Sequence, residues 1–116
     1  MNLPNLENGI DPEDFEILVA QARKASDMLK ALSHEVRLLI LCLLSEGEKT
    51  VSELEDILTM PQAAVSQQLA RLRNDGLVAS RRDGRMIYYS LVGGEVHTII
   101  SSLYDLFCKE VRPAEG

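Results

Sequence analysis

Gln62, Ala63, Ser66, Gln67, Gln68 and Arg71 lie at spacings that share one side of an α-helix. That side offers amides, a hydroxyl and a guanidinium, and it carries no acid. Amides and hydroxyls pair with base edges in a DNA major groove, and arginine pairs with guanine or phosphate. An ordinary solvated helix face more often mixes Glu with Lys, and that is the competing reading. A second cluster, Arg81, Arg82 and Arg85, brackets Asp83-Gly84. Three guanidiniums at a loop tip can reach backbone phosphate or an adjacent minor groove, or they can keep a strand edge from aggregating. The chain has two cysteines, Cys42 and Cys108, 66 residues apart. On their own, such residues read as small core hydrophobes.

Positioning these groups requires particular elements. Val65, Leu69 and Leu72 recur at i, i+4 and i+7, an apolar stripe behind the polar face. Pro61 suits the first helical position and Gly76 a C-terminal cap, so a helix is expected over 61–76. Upstream, Thr50-Val-Ser-Glu53 reads as a capping box opening a short helix with Leu54, Ile57 and Leu58 inside. Two short helices joined by a tight turn make a helix-turn-helix. Downstream the apolar period falls to about two, and Asp83-Gly84 between residues 77–82 and 85–91 signals a hairpin with a type I′ turn.

The remaining segments frame this unit. Residues 1–10 read as a frayed tail, and residues 11–112 as one winged helix-turn-helix and dimerisation domain. Asp11-Pro12-Glu13-Asp14 starts a helix running to about Lys30, with Phe15, Leu18, Val19, Ala22 and Leu29 on its apolar face. Ser33 is expected to cap a second helix, Glu35 to Leu44, apolar nearly all round and so the buried centre. His34 reads as surface or a neighbour of that cap. A last helix from about Glu95 to Val111 carries Val96, Ile99, Ile100, Leu103, Leu106, Phe107 and Val111, too many apolar groups for a lone surface helix. With the first helix it is expected to form a homodimer interface, pairing two reading helices against a two-fold related operator. The fold class is mainly α with a small β-hairpin, in the order α-α-α-α-β-β-α.

Charge supports the same assignment. The net charge is −6, yet residues 61–92 hold five Arg and two Asp while the segments on either side are acidic. Local charge, not the total, sets phosphate attraction. No run of 18 apolar residues and no signal-peptide pattern is visible, so a cytoplasmic protein without a membrane partner is expected, and a stable structural disulfide is not. No nucleophile–base pairing, phosphate-binding glycine loop or His/acid cluster points to an enzyme, and no cofactor is expected. A winged helix that mediates protein contacts alone would not need the Gln/Ser face and the arginine tip.

This order of elements, with the segments Ala31 to Ile40, Val65 to Arg73, Gly76-Leu-Val78 and Asp83 to Tyr89, resembles the ArsR/SmtB family of winged-helix repressors over about residues 25–111. The resemblance implies a cytoplasmic homodimer that represses an operon and releases its operator when an effector acts. The family's base-reading positions match Gln62, Ala63, Ser66 and Gln67. Family sensors of arsenic and cadmium carry a Cys pair in the third helix, and residues 51–58 have none. The zinc-type pattern along the last helix gives Glu95, His97 and Cys108, with Val111 at the fourth position and Glu110 one step off the face. A structural zinc site normally takes four protein ligands, so this is the alternative effector site. The placement of Cys42 and Cys108 is similar to the persulfide-sensing SqrR/BigR-like subgroup. That similarity implies a redox pair that reactive sulfur species cross-link as a disulfide or polysulfide, releasing DNA from genes of sulfide detoxification or sulfur oxidation.

Overall fold

The computed structural model describes residues 9–108. Five helices and three short strands run α1 (Pro12–Leu32), α2 (Glu35–Leu44), β1 (Lys49–Thr50), α3 (Val51–Leu58), α4 (Gln62–Asn74), β2 (Val78–Asp83), β3 (Met86–Leu91) and α5 (Gly93–Phe107). The winged helix-turn-helix is present, with one strand beyond the expected hairpin. β1 pairs antiparallel with β3, giving the strand order β1-β3-β2. Two residues are too short to show a period, so β1 reads as turn in the sequence.

Helix ends follow local chemistry. The capping box forms as expected: the Glu53 N–H donates to Thr50 Oγ1 at 3.1 Å, and the Thr50 N–H donates to Glu53 Oε1 at 3.0 Å. At the start of α2 the roles differ from expectation. Ser33 closes α1, its Oγ donating to Lys30 O at 2.8 Å, and His34 is the N-cap of α2, its Nδ1 accepting from Arg37 N. Pro61 is likewise the N-cap of α4 rather than its first helical residue. Gly76 stops α4 at φ +77°, with Leu77 N–H bonded to Leu72 O and Gly76 N–H to Arg73 O. These two bonds make a Schellman closure, and the positive φ is what a glycine permits without strain.

The hairpin turn sits one residue later than expected. Asp83 pairs with Met86, so Gly84 and Arg85 are its central residues. Gly84 has φ +64° and Arg85 is not left-handed. A type I′ turn needs positive φ at both, whereas type II′ needs it only at the first, which places the glycine correctly.

The core joins Ile40, Leu41 and Leu44 of α2, Leu54 of α3, Val65, Leu69 and Leu72 of α4, Leu77 and Val78 before and in β2, and Val96 and Ile100 of α5. α2 is its centre, although Leu39 is exposed, and on α3 Ile57 points to solvent rather than inward. α1 buries only Ala31 and Leu32, leaving Phe15, Ile17, Leu18 and Leu29 exposed. On α5, Leu106 and Phe107 are 75% and 79% exposed. Val111, Glu110 and the expected end of the last helix lie outside the described residues. No helix among the described residues is long and apolar enough to cross a membrane.

Candidate nucleic-acid interface and thiol pair

Burial of Val65, Leu69 and Leu72 fixes the rotation of α4. Each removes an apolar side chain from water, worth about 1.5–3 kcal/mol, and together they leave the opposite face outward. Gln62, Ala63 and Gln67 are exposed there and Ser66 is half-buried. Gln68 is drawn aside: its Oε1 accepts from Arg37 Nη1 at 3.3 Å. Arg37 also donates through Nε to Ala31 O at 2.8 Å, so it ties the end of α1 to α4. A cation at the exposed carbonyls of a helix C-terminus is favourable there.

The wing comes to the start of the same helix. Gln62 and Arg85 line one small cleft of about 140 Å³, together with Thr50, Val51 and Ser52. The structure thus brings Gln62 and Arg85 together, with Ala63 and Gln67 exposed on the same helix. Arg82 is exposed near the hairpin tip, and among the described residues neither Arg82 nor Arg85 makes an ion pair. The other two arginines of the expected set are engaged. Arg71 Nε lies 3.0 Å from Asp75 Oδ2, one helical turn on. Arg81 grips Glu48 with two nitrogens and lies over the Tyr88 ring.

The two cysteines are free thiols, both half-buried, one on α2 and one at the C-cap of α5. Burial, and then the charge of Cys108, push the Cys42 thiol above its ordinary value. The two groups are therefore within electrostatic reach, although far apart in sequence. Cys42 opens onto a groove of about 650 Å³ between α2 and α5, which His97, Ser101 and Tyr104 also line. His97 is exposed, its Nδ1 3.5 Å from Ser101 Oγ. Among the described residues no three His, Cys, Asp or Glu side chains group as a metal site, so Glu95, His97 and Cys108 do not converge within one chain.

A family model described as bacterial regulatory protein, arsR family, matches residues 34–80, from the cap of α2 into β2. The biofilm growth-associated repressor of Xylella fastidiosa is 39% identical over 102 residues, 88% of this chain and 87% of that one. The chain belongs to the ArsR family. The HTH-type transcriptional regulator YgaV of Escherichia coli K12 is 45% identical across 78% of this chain and 93% of its own. Reduced HlyU from Vibrio cholerae superposes with a TM-score of 0.77 at 41% identity, over 80% of this chain and 98% of that structure. ArsR-family regulators bind operator DNA and are typically dimers; this is a regulator rather than an enzyme.

Two contributors to this ArsR-family site escape sequence reading. Arg37 and Glu48 each act on a residue more than thirty positions away, Gln68 and Arg81 respectively. Arg37 sits in an apolar helix where a lone cation has a long reach. Nothing in the local sequence marks Glu48, an acid in a turn.

Proposed function

We propose that this ArsR-family regulator is a homodimeric repressor that holds its operator through α4 and the wing, and releases it when a persulfide cross-links Cys42 to Cys108. The observation that carries this reading is that two free, half-buried thiols, 66 residues apart in sequence, come within electrostatic reach of one another, with Cys42 opening onto a groove between α2 and α5. One thiol is on the helix at the centre of the core, the other at the end of the helix whose apolar tip is exposed. A bond between them couples the reading unit to the expected dimer interface. The solved relative described as reduced HlyU is a protein named by its redox state.

The chemistry balances without a cofactor. A protein thiolate attacks the outer sulfur of R–S–SH, forming Cys–S–SH and releasing the thiol R–SH. The second thiol attacks the inner sulfur and expels hydrogen sulfide, leaving a disulfide; both cysteines are oxidised and the sulfane sulfur is reduced. If both thiols first become persulfides, closing the bridge expels one hydrogen sulfide and leaves three sulfurs. A longer bridge spans thiols held wider than direct disulfide geometry allows. Burial, and then Cys108, disfavour the Cys42 thiolate, the form that attacks, so its step is the one that rising pH accelerates. The bridge acts on DNA only by favouring a form of the dimer that fits the operator less well.

The test compares operator binding of wild type, Cys42→Ser and Cys108→Ser with and without a persulfide donor. Wild type is expected to lose binding and both variants to keep it. A Cys42→Ser protein that still lets go of DNA removes the cross-link from the mechanism. Stoichiometric release by zinc from the reduced protein would favour the alternative at Glu95, His97 and Cys108, completed by the partner chain.

A further inference from the structure

Arg81 stands apart from the other wing arginines in what surrounds it. The register sets Arg81 opposite Tyr88, and Tyr88 opposite Thr50. Directly opposed residues of antiparallel strands share a face, and so do residues two apart along a strand. Arg81, Tyr88 and Thr50 therefore stand in a row across all three strands, with Glu48 arriving on the same face at the far edge. The Arg81 side chain crosses the sheet along that row. Its Cζ lies 4.4 Å from the centroid of the Tyr88 ring, its Nε donates to Glu48 Oε2 at 2.9 Å, and its Nη2 donates to the other oxygen of the same carboxylate. Asp83 Oδ2 lies 4.0 Å from Nη1. Arg82, one residue on, faces the other side of the hairpin, and neither it nor Arg85 at the turn is held by a carboxylate among the described residues.

A two-nitrogen fork on a carboxylate fixes direction as well as distance. Here it fixes β2 to the residue just ahead of β1, and β1 leads directly into the capped start of α3. We propose that Arg81 is a positioning residue rather than a phosphate ligand: with Glu48 and Tyr88 it clamps the wing to the entry of the helix-turn-helix and sets the angle at which Arg82 and Arg85 meet DNA. The inference rests on the reading of the hairpin as a DNA-contacting wing. It departs from the simpler expectation that all three wing arginines contact the backbone.

Charge reversal separates the two roles, because a clamp works in either polarity and a phosphate contact does not. Operator affinity is measured for wild type, R81E, E48R and the double variant R81E/E48R, with Arg82→Ala as the control for the wing itself. Each single reversal is expected to weaken binding by about three- to fivefold, the upper end of what an exposed pair carries, and the double variant to return to within about twofold of wild type. A double variant at least as weak as R81E alone overturns the clamp, since an acid would then stand where a phosphate is bound. Salt dependence gives a second readout. Removing one phosphate contact lowers the slope of log affinity against log salt by about 0.9. Arg82→Ala is expected to show that drop and Arg81→Ala less than half of it. Equal drops for both overturn the inference and leave the wing reading standing. No drop and no loss of affinity for Arg82→Ala overturns the wing reading, and unchanged affinity in Arg81→Ala overturns the clamp.

Discussion

Gln62 and Gln68 are the same residue type on the same helix, and the fold gives them different work. Gln62 is exposed beside Arg85, whereas Gln68 is half-buried and accepts from Arg37. Replacing Gln62 with Ala should therefore relax preference for the operator more than it lowers nonspecific binding, by about 1–3 kcal/mol at the base it reads. Competition between operator and scrambled duplexes checks this; equal loss on both removes Gln62 from base reading. Thr59, in the turn before α4, is the one described non-glycine residue at positive φ, 54°. A β-branched side chain is strained there and Asn is tolerated. Thr59→Asn should raise the unfolding free energy by about 0.5–1 kcal/mol in denaturant titration. Cys42 supplies a pH prediction. Its folded pKa is raised above the ordinary 9.0 by burial and then by Cys108. The neutral thiol is the form the fold prefers, so its contribution is complete below about pH 9 and is lost as pH rises through the higher folded value. Site-resolved alkylation of Cys42 should accelerate at a higher pH in the folded protein than in urea.

Elements were legible in the sequence wherever a local rule fixed them. The capping box at Thr50 and Glu53, the apolar stripe of α4 and the bounds of α2 follow from spacing alone. Thr50→Ala removes the acceptor for the first turn of α3 and should cost about 1 kcal/mol, read as a lowered denaturation midpoint. The Glu53 carboxyl is held below its usual range by the Thr50 N–H and then the Thr50 hydroxyl. Its contribution is present above about pH 4.5 and lost as pH falls through the lower folded value, so in strong acid the cost of Thr50→Ala should shrink to the part carried by the Glu53 N–H bond to the Thr50 hydroxyl. What the sequence left open was decided by pairing between distant segments. β1 exists because Lys49 and Thr50 meet Tyr89 and Tyr88, and the turn moved to Gly84-Arg85 because that register pairs Asp83 with Met86. The hairpin was visible locally; its phase was not. The same limit applies to the site. The polar face of α4 was readable, while the hold of Glu48 on Arg81 needed a contact across three strands.

At the scale of the whole molecule, the most exposed large apolar groups among the described residues, Ile17, Leu29, Leu106 and Phe107, lie on the two terminal helices. Phe15 and Leu29 of α1 are 52% and 61% exposed, and Leu106 and Phe107 of α5 more so. A lone soluble chain rarely leaves such a set uncovered, and the proposed homodimer covers it. Two reading helices held by one two-fold axis also bind a paired operator far more tightly than one. Phe15→Glu combined with Phe107→Glu should shift sedimentation from dimer to monomer and weaken operator binding by at least about tenfold, with the core intact by circular dichroism. A variant that remains dimeric places the interface elsewhere.

The central claim is that one covalent event between α2 and α5 controls DNA binding. The most direct measurement treats the reduced regulator with a persulfide donor, weighs the intact and digested protein, and measures operator binding on the same sample. A peptide joining Cys42 to Cys108 is expected, carrying either no extra sulfur or one or more additional sulfur masses, with loss of binding in proportion to its yield. Full operator binding by a quantitatively cross-linked protein, or release with both cysteines unmodified, would contradict it.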